Sequence, residues 1–74
     1  MEDFIKNFAN QWDETEPEVF TSDCEFHELE EWSSLTGLAI LNMVAKKYSA
    51  RITPMELKNC VTIADLYNLI QFKQ

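Results

Sequence analysis

Apolar positions recur at helical spacing in three separate stretches of this chain, and no stretch alternates as a half-buried strand does. In the first, Phe4, Ile5, Phe8 and Trp12 come every three or four residues, with Glu2, Asp3, Lys6, Asn7, Asn10 and Gln11 filling the other side. The pattern predicts an amphipathic helix over residues 2–12, broken by the charge and proline of Asp13–Pro17. The second stretch holds Leu35, Leu38, Leu41, Val44 or Ala45, then Tyr48, and predicts a helix from about Ser34 to Lys47. Ile40 and Met43 lie beside that stripe, so this helix is apolar on more than one face. Such a helix is mostly buried, or opens one face to a ligand or partner. In the third, Ile63, Leu66, Tyr67, Leu69 and Ile70 form the core face of a last helix.

Polar punctuation agrees with these limits. Ser33 precedes the second run as its N-cap, which places Ser34 on the first turn with its hydroxyl outside the bundle. Lys46 and Lys47 fall in the last turn, where positive charge complements the helix dipole. Thr53-Pro54 with Glu56 starts a short helix over Pro54–Asn59. Thr62 caps the last helix, with Asp65 three residues on as a variant of the capping box. Residues 14–32 are left as a long connector dense in carboxylates, with Val19, Phe20, Phe26, Leu29 and Trp32 as apolar points. A connector of this length is functional or tied down by its own anchors, and Phe26 and Leu29 fit the second role. His27 reads as a lone surface histidine near carboxylates. The expected fold class is all-α, with three main helices and a short one.

With 74 residues the chain is one small domain, whose thin core makes structural use of its five Phe and two Trp. A deep catalytic cleft does not fit that size. One histidine, no plausible triad and no spacing suited to a metal argue against an enzyme. Cys24 and Cys60 lie far apart and read as free thiols. No apolar run reaches the length of a membrane span, and the start Met-Glu-Asp-Phe is no secretory signal, so a cytoplasmic location is expected.

A net charge of −7 argues against a nucleic-acid partner. The distribution is more telling. Asp13, Glu14, Glu16, Glu18, Asp23, Glu25, Glu28, Glu30 and Glu31 fall in a span without Lys or Arg, whereas Lys46, Lys47, Arg51, Lys58 and Lys73 follow it. An acidic block is a solvated surface, or else steers a basic partner.

Ser34 itself has two readings. Both serines can serve merely to cap a helix. Alternatively, a phosphoryl group on Ser34 would sit where unpaired amides and the helix dipole favour an anion.

The sequence resembles the acyl carrier proteins. That family has three main helices and a short third one, with a long connector before the second. A serine in an Asp-Ser-Leu motif at the start of the second helix receives 4′-phosphopantetheine. Here the motif reads Ser33-Ser34-Leu35, preceded by Phe26-His27-Glu28-Leu29 at the family's spacing. Leu38, Ile40, Val44 and Tyr48 stand at its core positions, Ile52 at the apolar position after the second helix, and Val61-Thr62-Ile63 resembles the opening of its last helix. The match covers essentially the whole chain, the first helix only in kind. Two features depart from the family. Its aspartate before the modified serine is Ser33 here. Its acidic second helix is replaced by exposed Thr36, Ala39, Asn42, Ala45, Lys46 and Lys47, with the acidity moved upstream into Glu28, Glu30 and Glu31.

The resemblance implies a monomeric four-helix carrier, not an enzyme, with 4′-phosphopantetheine covalently attached to Ser34 from coenzyme A. Its implied partners are a phosphopantetheinyl transferase, an acyl- or aminoacyl-loading ligase or transferase, and the synthase enzymes of fatty acid, polyketide or other specialised acyl biosynthesis. Leu38, Ile40 and Met43 are the candidates to part and shelter an acyl chain, ordinary core packing being the other reading of the same three. Glu28, Glu30, Glu31, Ser33, Leu35, Thr36, Ala39 and Asn42 are the docking candidates, facing a basic enzyme surface. An aminoacyl or D-alanyl-type carrier shares fold and serine, and an unmodified interaction module shares the fold.

Overall fold

The computed structural model describes residues 1–74 as four helices without strands: α1 (Glu2–Ala9), α2 (Ser34–Tyr48), α3 (Pro54–Asn59) and α4 (Ile63–Lys73). The connector between α1 and α2 contains two short 3-10 turns, Pro17–Val19 and Phe26–Glu28. The chain is all-α, and α2 is the element against which α1 and α3 pack. No helix is long and apolar enough to cross a membrane.

α1 is shorter than the expected 2–12. After Ala9 the N–H groups of Gln11 and Trp12 turn to the carbonyls three residues back, Phe8 and Ala9, at 3.1 and 3.0 Å. This tightening ends the α-helix but keeps Trp12 on the same side of the chain as Phe4 and Phe8, so all three are buried. Phe8 is the centre of an aromatic cluster. Its ring lies 5.2–6.2 Å from those of Phe4, Trp12, Phe20 and Phe26, so two anchors of the connector close onto α1. Offset and edge-to-face arrangements of this kind let large rings fill a thin core without stacking face to face.

The connector is also tied to the far end of the chain. The first amides of a helix have no partner within it. At α4 the N–H groups of Ile63 and Ala64 donate to the carbonyls of Cys24 and Ser22, at 3.2 and 3.0 Å. The next amide, of Asp65, donates to Thr62 Oγ1, and the Asp65 carboxylate accepts from the N–H groups of Thr62 and Val61. The same reciprocal box holds α3 through Thr53 and Glu56. Both caps fall where the sequence places them.

The orientation of α2 differs from the expected one. Leu35 and Leu38 are 78% and 54% exposed, while Thr36, Gly37, Ile40, Met43 and Val44 are buried. Leu38 is therefore not a core residue and Thr36 is not an exposed one. Because α2 is apolar nearly all round, periodicity does not select its inward face. The choice falls to Gly37, whose missing side chain admits a neighbour: a Cβ there would lie 3.2 Å from Trp32 and 3.6 Å from Leu57. α2 ends at Ser49, a non-glycine residue in the left-handed conformation (φ 54°, ψ 30°). Just before it, Tyr48 ties α2 to α1 and to the end of the chain. Its hydroxyl accepts from Asn7 Nδ2 at 3.0 Å and its carbonyl from Gln74 Nε2 at 2.7 Å.

Candidate functional site

Ser34 is the first residue of α2 and is exposed. The cap belongs to its neighbour. Ser33 is extended (φ −157°, ψ 172°), and its Oγ accepts from the N–H of Thr36 at 3.3 Å. The Ser34 hydroxyl is thus spared from capping, and the amides of Ser34 and Leu35 remain without partners inside the helix. A negatively charged group on Ser34 would meet these amides and the positive end of the helix dipole.

Two residues expected at a docking surface instead hold this turn in place. Thr36 is buried, and its Oγ1 lies 3.3 Å from Ser33 Oγ and donates to the Glu31 carbonyl at 3.4 Å. The Glu31 carboxylate points the other way. It accepts from the N–H groups of Asp13, Glu14 and Thr15 and from the Thr15 hydroxyl. These bonds, that from the Thr15 hydroxyl foremost, hold the Glu31 carboxyl below its ordinary range. Glu31 and Thr36 therefore position the start of α2, because each meets internal donors or acceptors that solvent-facing residues would lack. The remaining docking candidates, Glu28, Glu30, Leu35 and Asn42, are exposed; Ala39 is half-buried and Ser33 is exposed but engaged as the cap.

Beside Ser34 lies an open groove of about 450 Å³ between α2 and α3. Trp32, Gly37, Leu38, Leu41 and Leu57 supply most of its wall, with Pro54 and Lys58 along the α3 side and His27 from the connector. Of the three residues expected to shelter an acyl chain, only Leu38 borders it, as an exposed lip. Ile40 is fully buried in the core, and Met43 is buried against a different, smaller groove with Ala39 and Asn42. A larger groove of about 690 Å³ runs between α1 and residues 12–17, but charged and polar side chains dominate its lining.

Sequence reasoning passed over His27, Trp32, Gly37, Leu57 and Lys58 as parts of this site. One signal was present: Gly37 is the only glycine of the chain and lies inside a helix, a position that marks a close approach. His27 is not a lone surface residue. It is half-buried, with its ring 4.3 Å from that of Phe26 and 4.5 Å from that of Trp32, and its Nε2 is buried without a partner.

Cys24 and Cys60 are unpaired thiols, half-buried and buried. Burial pushes both up from the ordinary thiol range, with Glu25 adding to the effect at Cys24 and Asp65 and Glu56 at Cys60. Both are therefore weak nucleophiles at neutral pH. No group of three or more His, Cys, Asp or Glu side chains is placed to hold a metal ion.

No family model matches the chain, and neither a curated protein nor a solved structure matches it.

Proposed function

We propose that this chain is an acyl carrier protein, and that Ser34 carries a 4′-phosphopantetheine arm. The observation that carries the reading is the exposed, uncapping hydroxyl of Ser34 at the start of a 15-residue helix, directly beside an apolar groove. The residues present suit the arm. The free amides of Ser34 and Leu35 favour its phosphodiester, Lys58 adds positive charge on the groove, and Trp32, Leu38, Leu41 and Leu57 offer apolar surface to whatever the arm bears. When attached, the arm supplies a thiol that holds an acyl group as a thioester. The chain itself then presents, orients and partly covers the cargo, and hands it to separate enzymes at raised local concentration. The arrangement of four helices around a long anchored connector is of the kind the resemblance implies, and it supports the same reading.

The partners on this reading are a phosphopantetheinyl transferase, a loading ligase or transferase, and synthase enzymes. Exposed Leu35 and Leu38 supply apolar contact area next to the modified serine, and Glu28 and Glu30 are exposed on the connector that leads to it.

Intact mass before and after incubation with coenzyme A and a broad-specificity transferase tests the proposal. The wild type gains one phosphopantetheine and Ser34→Ala gains none. Failure of unmodified wild type to accept the arm from two different transferases would overturn it in favour of an interaction module. Loading of the modified protein by an adenylating amino-acid ligase, but not by an acyl transferase, would reassign the cargo to an amino acid.

A further inference from the structure

His27 and Lys58 are shared by two grooves. The first is the groove of about 450 Å³ beside Ser34; the second, of about 330 Å³, is bounded by Glu25, Glu28, Cys60 and Val61. The imidazole thus stands as part of the wall between an apolar groove and an acidic one. It is held there by packing against the rings of Phe26 and Trp32, which also meet each other. Its Nε2 has no accessible surface and no hydrogen-bond partner. A neutral ring nitrogen left unpaired there is a modest cost, but a charged N–H at Nε2 itself has neither water nor a hydrogen-bond partner, which costs far more.

We infer that His27 is an acid-sensitive closure of the groove beside Ser34: neutral, it fills the wall against Trp32; protonated, it leaves the wall and joins the two grooves. The charged groups facing it set the direction of movement. Lys58, from α3, lines both grooves, whereas Glu25 and Glu28, from the connector, line only the second, and Glu28 favours the charged ring. The Cys60 carbonyl offers a neutral acceptor to the ring, and the buried Cys60 thiol stays protonated. The ring accordingly turns toward the acidic groove and away from Ser34. Burial, the largest influence, holds the imidazole below its ordinary value against the opposing pull of Glu28 and the Cys60 carbonyl. Trp32 then loses one of its packing partners, and the wall beside Ser34 and Gly37 loosens.

The chain has one histidine, so the test is free of overlap. In isotopically labelled wild type without any arm, the ring signals of His27 are followed by NMR together with the indole N–H of Trp32 from neutral pH into acid. His27 is expected to titrate below the ordinary value of 6.5, and the Trp32 signal to shift with the same midpoint. In His27→Phe, or in His27→Gln should the first variant fold poorly, the Trp32 shift in that range is lost. A His27 midpoint at or above 6.5, a Trp32 signal that holds still through it, or a shift that persists in the variant would overturn the inference. Because the unmodified chain is used, the outcome is independent of whether Ser34 accepts an arm.

Discussion

The Glu31 carboxylate accepts two hydrogen bonds from Thr15, from its N–H at 2.8 Å and its hydroxyl at 2.7 Å, and so clamps the end of the α1 turn to the approach to Ser34. The same residue's carbonyl receives Thr36 Oγ1 from inside α2. Side chain and backbone of one residue thereby link residues 13–15 to the start of α2.

Glu31→Gln keeps the shape but loses the charge that strengthens these bonds. Its thermal midpoint is expected to fall below that of wild type near neutral pH. Because the folded-state pKa of Glu31 is lowered, its contribution is present above the ordinary value of 4.5 and is lost as pH falls through the folded value. Melting curves over a pH series check this: the two proteins should differ most near neutrality and converge in acid.

Gly37→Ala sets helix propensity against a contact. The alanine favours the helix by about 1 kcal/mol, while its Cβ would press on Trp32 at 3.2 Å. Trp32 is half-buried beside an open groove and has room to yield. The expected result is a net stabilisation of less than about 1 kcal/mol, with a changed Trp32 emission. Chemical denaturation followed by tryptophan fluorescence reads both.

Ser49→Gly removes the penalty of a Cβ in the left-handed region at the end of α2. The expected gain is roughly 0.5–1 kcal/mol after allowing for the greater freedom of glycine in the unfolded chain. Ser49→Val is expected to destabilise, and equilibrium unfolding of the two variants beside wild type separates the signs.

Phe8→Ala empties the centre of the aromatic cluster. A buried phenylalanine truncated to alanine costs about 3–5 kcal/mol, a large part of the total for a domain of this size. The variant is expected to lose its sharp thermal transition, whereas Phe8→Leu retains one at lower temperature. Circular dichroism melts suffice to check both.

Local chemistry in the sequence determined the four helices and the starts of the last three, though α1 ends at Ala9 and not at Trp12. Thr53-Pro54 with Glu56, and Thr62 with Asp65, satisfy amides within three residues of themselves, so their caps appear as the sequence places them. Ser33 as cap, with Ser34 left free, follows from the same short-range rule. The amphipathic first helix put Phe4 and Phe8 inside for the same reason, since its polar face leaves only one way to pack. Tertiary structure decided what two segments must settle together. α2 is apolar nearly all round, so its inward face was chosen by Trp32 and Leu57 closing over Gly37. Glu31 and Thr36 look like solvent-facing polar residues until residues 13–15 and the Ser33 turn supply their partners. His27 becomes a half-buried imidazole with a buried Nε2 only when Trp32 packs against it. Periodicity and caps are properties of neighbours along the chain; burial of an ambiguous face and the pairing of a remote carboxylate depend on segments that meet only in the folded molecule.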